Sequence, residues 1–130
     1  MPIYPEGVGH LAATLVVTDG TPIRVGRPPA DPLPLLSEIR TVLSYVSGVR
    51  QASRAWLSIP GRGEGLVISV TLDDPASGTA HREVLDAVEG AVLTAPGEGF
   101  PIDVTFPGEG EPDLLDAWIS AHAEPFYIRP

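Results

Sequence analysis

Three histidines, two groups of acids, a glycine-rich run and eight arginines are the side chains of this chain with the means to do chemistry. His10, His81 and His122 are too far apart to form an HxH or HExxH pair, so no local metal-ligand set is expected. Asp73 and Asp74 form one acidic group, and Glu109, Glu111, Asp113 and Asp116 the other. Neither has the oxygen spacing of a calcium loop, and Asp113 is better placed to favour a helix N-terminus. The run GRGEG at 61–65 lies between two apolar segments that read as strands. A phosphate loop needs a helix N-terminus immediately after its glycines, so a hairpin loop is the better reading. No serine sits in a G-x-S-x-G turn, and cysteine is absent. No catalytic, cofactor or metal site is expected from these patterns, and the reading leans away from an enzyme.

One constellation points to recognition. Arg24 falls on a predicted second strand, and Arg54 and Trp56 on a third. If those strands are neighbours, one sheet face carries both arginines beside the indole, residue types favoured at binding hot spots. The alternative is a solvated sheet face with an arginine stacked on the tryptophan.

The elements that would position these residues follow from periodicity. LAATLVV and PIRV flank Asp19-Gly20, a strong two-residue hairpin signal, which predicts strands near 10–18 and 21–27. The prolines of RPPADPLP then break the sheet. Asp31 is the expected N-cap of a helix with Pro32 in its first turn, a stripe of Leu36, Ile39, Leu43 and Val46 widened by Leu35 and Val42, and Gly48 as C-terminal cap. VRQASRAWLSIP and GLVISVTL read as strands. In the latter, Leu66, Ile68, Val70 and Leu72 share one face, and Val67, Ser69 and Thr71 the other. A second helix opens at Thr79 with Val84, Leu85, Val88 and Val92 inward and stops at Pro96-Gly97. FPIDVTFP is a strand with Ile102, Val104 and Phe106 on one side. Leu114, Leu115, Trp118 and Ile119 mark a third helix.

Together these predict an α+β fold in one domain over residues 1–130, with 1–9 irregular. The expected architecture is a two-layer sandwich: a mixed or antiparallel sheet with helices on one face. The elements run in the ferredoxin-like β-α-β-β-α-β order, with an extra N-terminal strand and C-terminal helix. A chain of 130 residues, 43 % hydrophobic, is long enough to bury a core without staples.

Net charge is −9, from 17 acids and eight arginines. That balance argues against a nucleic-acid partner bound by phosphate neutralisation and against an anionic membrane surface. A basic protein partner is compatible with it. The opening MPIYPEGVGH has no basic n-region or apolar run, so no signal peptide is expected. No stretch approaches the roughly 18 apolar residues of a membrane span. The expected location is the cytoplasm, consistent with the lack of cysteine.

The chain ends on AHAEPFYIRP. The stretch IRVGRPPADPLPLLSEIRTVLSYVSGVRQASRAWLSI, with DLLDAWISAHAEPFYIRP at the end, resembles the C-terminal domain of the enhanced serine sensitivity protein B (SseB) family over about residues 11–130. The matching residues are Gly26 and Pro28 of a G-x-P element, and Pro125, Phe126, Tyr127 and Arg129 of a terminal PFY-x-R signature. Many family members carry a further N-terminal domain. The resemblance implies no reaction and no catalytic residue, only a phenotype of serine tolerance. Three functional expectations follow: a non-enzymatic interaction or regulatory module with an unidentified protein partner; an enzyme or ligand-binding protein of serine-related metabolism; and self-association as a homodimer. The signature itself is expected to be structural. Phe126 enters the core near Trp118, the Tyr127 hydroxyl finds a polar partner, and Arg129 and Pro130 lie beyond the anchor, mobile and dispensable.

Overall fold

Residues 49–59 and 63–72 form the longest strand pair and set the frame of the molecule. A computed structural model describes residues 13–16, 22–28, 30–61, 63–95, 99–108 and 114–130. Within them the strands are β1 (Ala13–Val16), β2 (Pro22–Gly26), β3 (Val49–Ile59), β4 (Gly63–Leu72), β5 (Ile102–Thr105) and β6 (Pro125–Ile128). The helices are α1 (Leu33–Leu43), α2 (Gly78–Thr94) and α3 (Leu114–His122). The β3–β4 turn carries Gly61 at φ 78° and Gly63 at φ 80°, left-handed values that glycine adopts without a Cβ clash. GRGEG is therefore part of a hairpin, as its context requires.

The sheet order is β1-β2-β3-β4-β5. β1–β2, β2–β3 and β3–β4 are antiparallel, and β5 joins β4 in parallel through α2. The predicted order of elements is present. Their arrangement differs from the split β-α-β of a ferredoxin-like sheet, because β2 and β3, which flank α1, pair with each other directly. β1 and β2 pair antiparallel, as expected of the two segments flanking Asp19-Gly20; that turn itself lies outside the described residues.

β3 and β4 are apolar on both faces over part of their length, and so both faces need cover. On one face Ala52, Trp56, Leu66, Ile68, Val70 and Leu72 join Leu35, Leu36, Ile39 and Leu43 of α1 and Ala80, Val84, Val88 and Ala91 of α2 in the main core. On the other, Val25, Ala55, Leu57 and Val67 pack under Ile119, with Leu115 and Trp118 around it. The two long helices share a face as expected. The third takes the opposite face, where it covers apolar residues that a two-layer sandwich would leave wet.

Local capping departs from expectation at two points. Pro32 occupies the N-cap position of α1 with no side-chain cap bond, and the Asp31 carboxylate is used elsewhere. α2 begins earlier, where the Ser77 hydroxyl accepts from the Ala80 N–H at 3.1 Å. Gly48 does not close α1 directly: the N–H groups of Ser44, Tyr45 and Val46 first bond back onto the last turn.

The inward stripe of α2 is Ala80, Val84, Val88 and Ala91. Leu85 and Val92, expected inside, point outward with Leu93. The two alanines let α2 pack closely on its neighbours, and that rotation turns the larger residues to the outside. It predicts a sharp contrast. Leu43→Ala, at a fully buried position, should cost roughly 2–5 kcal/mol. Leu93→Ala should stay within about 0.5 kcal/mol of wild type. Urea unfolding of the two variants checks it.

Candidate functional site

The terminal signature is a strand. β6 pairs antiparallel with β3, matching Gln51 to Ile128, Ala52 to Tyr127 and Ser53 to Pro125, with a bulge between Ala52 and Ser53. β2 pairs with the same edge of β3 further along, from Gly26 opposite Trp56 to Arg24 opposite Ser58. Two short strands, from opposite ends of the chain, thus fill one edge of one long strand.

Tyr127 is buried in the core beneath α1 and α2, and Phe126 packs half-buried against that core. The expected site beside Trp118 is incorrect, because Trp118 belongs to the α3 face. Pairing with β3 directs the aromatic residues to the other side of the sheet. Tyr127 rather than Phe126 is the deeper of the two. Arg129 also departs from expectation, for it is firmly held. Its backbone N–H donates to the Arg50 carbonyl at 2.9 Å. Its guanidinium grips Asp73 through Nη1–Oδ2 at 2.6 Å and Nη2–Oδ1 at 3.1 Å, and Nη1 also donates to the Ser47 carbonyl at 3.3 Å. Arg50 reaches the same carboxylate at 3.4 Å. The Arg129 hydrogen bonds and charge, helped by Arg50, lower the Asp73 carboxyl below its ordinary range.

Between the ends of β2 and β6 stands Arg54. Its Nε and Nη2 donate to the two Asp31 oxygens at 3.0 and 2.7 Å, and Nη1 donates to the Glu124 carbonyl at 2.8 Å. One planar cation thereby ties β3 to the approach of α1 and to the residue before β6, with the bidentate geometry that arginine offers a carboxylate. The Arg54 hydrogen bond lowers the Asp31 carboxyl, its charge adding to the effect against partial burial. Gly26 and Pro28 lie beside this junction, where a cavity of about 210 Å³ is also lined by Asp31, Arg54, Trp118 and His122. The G-x-P element thus lies beside Glu124, the residue that precedes the terminal signature.

A family model described as SseB protein C-terminal domain matches residues 17–129. The chain belongs to this family. A search of curated proteins found no match, and neither did a search of solved structures.

In this SseB C-terminal domain the proposed recognition trio takes other work. Arg24, Arg54 and Trp56 do point to one side of adjacent strands, but that side carries α1 and α2. Trp56 is only 7 % exposed, stands edge-on to Phe100 at 5.1 Å and donates its indole N–H to Glu64. Burial leaves it no surface to offer a partner. Arg54 is committed to Asp31 and Glu124. The histidines are likewise in use: His81 stacks on Phe106 at 4.2 Å with Nε2 2.8 Å from the Pro75 carbonyl, and His122 stacks on Trp118 at 4.8 Å. His81 is thus half-buried. His10 lies outside the described residues, as do Glu109, Glu111 and Asp113. Asp74 accepts from the Ala76 N–H at 3.1 Å, which closes a local turn. Among the described residues no three His, Asp or Glu side chains gather as metal ligands, and no helix is long and apolar enough to cross a membrane.

A second concavity was missed in the sequence. On the α3 face, Gln51 and Ser53 of β3 stand opposite Thr71 and Ser69 of β4 and, with Asp116 and Ser120 of α3, line a cleft of about 430 Å³. The signal was present. Each of these pairs is placed symmetrically about Gly61, so a hairpin centred there brings the four polar residues together.

Asp31 and Asp73 set an acid limb. Both carboxyls titrate lower in the fold than the ordinary 3.8, so the stability they give is complete above that pH and is lost as pH falls through their lowered values. Asp31→Asn should be less stable than wild type at pH 7, and the gap should close below about 3.8. Urea midpoints measured from pH 7 down to pH 2.5 check this.

Proposed function

We propose that this SseB-like domain is a non-enzymatic interaction module of the cytoplasm that binds a protein partner through the outer face of α2. The observation that carries the reading is the second apolar face of that helix. Leu85, Val92 and Leu93 are 47, 37 and 81 % exposed, although residues of this type at helical spacing are ordinarily covered. Single exposed apolar residues are common, but a helix with a full inner stripe and a further outer one has surface to spare for a contact.

Charge narrows the partner. Glu83, Asp86 and Glu89 are exposed on the same helix against Arg82 alone, and the whole chain carries −9. An apolar patch with an acidic rim fits an apolar surface rimmed by lysine or arginine, which the field would also steer toward it. A second copy of this acidic chain fits less well, since like charges would face each other around the patch.

The test uses Leu85→Glu/Leu93→Glu, a pair of changes at exposed positions that should leave the urea midpoint in place. Capture of a basic partner from host lysate by wild type, lost with this variant and kept with Tyr45→Glu at another exposed position, is the expected result. Equal capture by both variants, or none by wild type, overturns the reading. Sedimentation of the purified protein separates the remaining occupant, because a dimer broken by the same double change would mean that the face serves self-association.

A further inference from the structure

The cleft on the α3 face is built of two unlike halves of one sheet surface. Where β3 and β4 carry Ala55, Leu57 and Val67, α3 closes down with Ile119 and the contact is dry. One pleat further along, the strands carry Ser53 and Ser69, then Gln51 and Thr71, and the surface opens into the cleft of about 430 Å³. That volume falls in the range of small-molecule sites.

The two serines make the observation specific. Ser53 and Ser69 are 6 % and 4 % exposed, the two polar residues within the buried set of the described residues. Neither hydroxyl makes a hydrogen bond to a described group, although each can give one bond and accept two. Buried polar groups are rarely left without partners, because desolvation then goes uncompensated. Both line the cleft, so the capacity that the protein leaves unused is directed into it.

The chemistry of the lining selects the ligand. Asp116 is the one charged residue among the described residues that line the cleft, and the Thr105 hydroxyl donates to its Oδ1 at 3.3 Å. Among the described residues that line the cleft none is a cation, so a carboxylate or phosphate entering it would meet the like charge of Asp116. An ammonium group brings three donors and a positive charge that Asp116 complements. The hydroxyls of Ser53, Ser69, Thr71 and Ser120 suit a ligand that also carries hydroxyl groups, and Ile119 accommodates its methylenes. We infer that this cleft is a binding site for a small organic amine bearing hydroxyl groups, with Asp116 receiving the ammonium and the Ser53–Ser69 pair receiving a hydroxyl. This site is independent of the outer face of α2, which belongs to the opposite layer.

Amide chemical-shift titration of the full chain tests it with ethanolamine, glycerol and acetate as probes. Ethanolamine should shift the amides of Ser53, Ser69 and Ser120 saturably, with a Kd of about 10 mM or below. Glycerol should bind roughly tenfold more weakly for want of the charge, and acetate should leave these amides in place. Asp116→Asn should weaken ethanolamine roughly tenfold or more. Ser53→Ala/Ser69→Ala removes hydroxyls that hold nothing within the protein, so it should keep the wild-type urea midpoint and still weaken ethanolamine by roughly tenfold. That combination separates a ligand role from a structural one. No saturable shift with ethanolamine, equal binding of acetate, or an unchanged affinity in the double serine variant overturns the proposal.

Discussion

Everything in this domain depends on how the second edge of β3 is filled. β3 is eleven residues long and pairs along its whole length with β4 on one side. Its other edge carries the backbone groups of the alternate residues, and these need partners as well, since buried N–H and C=O groups left unpaired are expensive. No single strand does this. β2 takes one half and β6 the other, which leaves a seam at Arg54 and Ala55. The Arg54 guanidinium closes the seam by binding Asp31 from one side and the Glu124 carbonyl from the other, while Arg129 on Asp73 fastens the far end of β6. Each ion pair is partly exposed and modest as a source of stability. Their importance is geometric: they fix where two independent segments stop.

The seam also explains why the sheet has different company on its two faces. Because β6 follows α3 after only two residues, placing β6 on the β3 edge delivers α3 to the face opposite α1 and α2. The aromatic pair then lies with the main core, Tyr127 inside it and Phe126 against it, while α3 covers Val25, Ala55, Leu57 and Val67. α3 is nine residues long and cannot cover the whole face. The remainder is the polar cleft, whose floor is set by β3 and β4 and whose wall is set by the helix that the seam positions.

Much of this was legible from local pattern. The β3–β4 hairpin followed from two alternating runs around GRGEG, and the buried stripe of α1 from the spacing of Leu36, Ile39 and Leu43. Residues whose roles are set by distant partners were misread. Asp31 looked like a helix cap because nothing local reveals that Arg54 claims it. Trp56 looked like an exposed anchor because alternation gives the face of a strand without saying which face the helices will take. Leu85 and Val92 fit an inward stripe as well as Ala80 and Ala91 do, and close packing decided for the smaller pair. The Arg129 role required knowing that β6 runs back along Arg50 to reach Asp73. The candidate cleft was half visible, since Ser69 and Thr71 were assigned the face opposite the main core. Its other half, Gln51 and Ser53, needed the hairpin register.

Removal of β6 tests the seam most directly. A chain ending at Glu124 lacks the strand, the buried Tyr127 and the Arg129 clasp, and leaves Gln51 to Ser53 without an edge partner. Urea unfolding of this chain beside the full one should show a clearly lower midpoint and a shallower slope, because less surface remains to be exposed on unfolding. Midpoint and slope both unchanged would contradict the account, for the terminal strand would then be an ornament on a sheet complete without it.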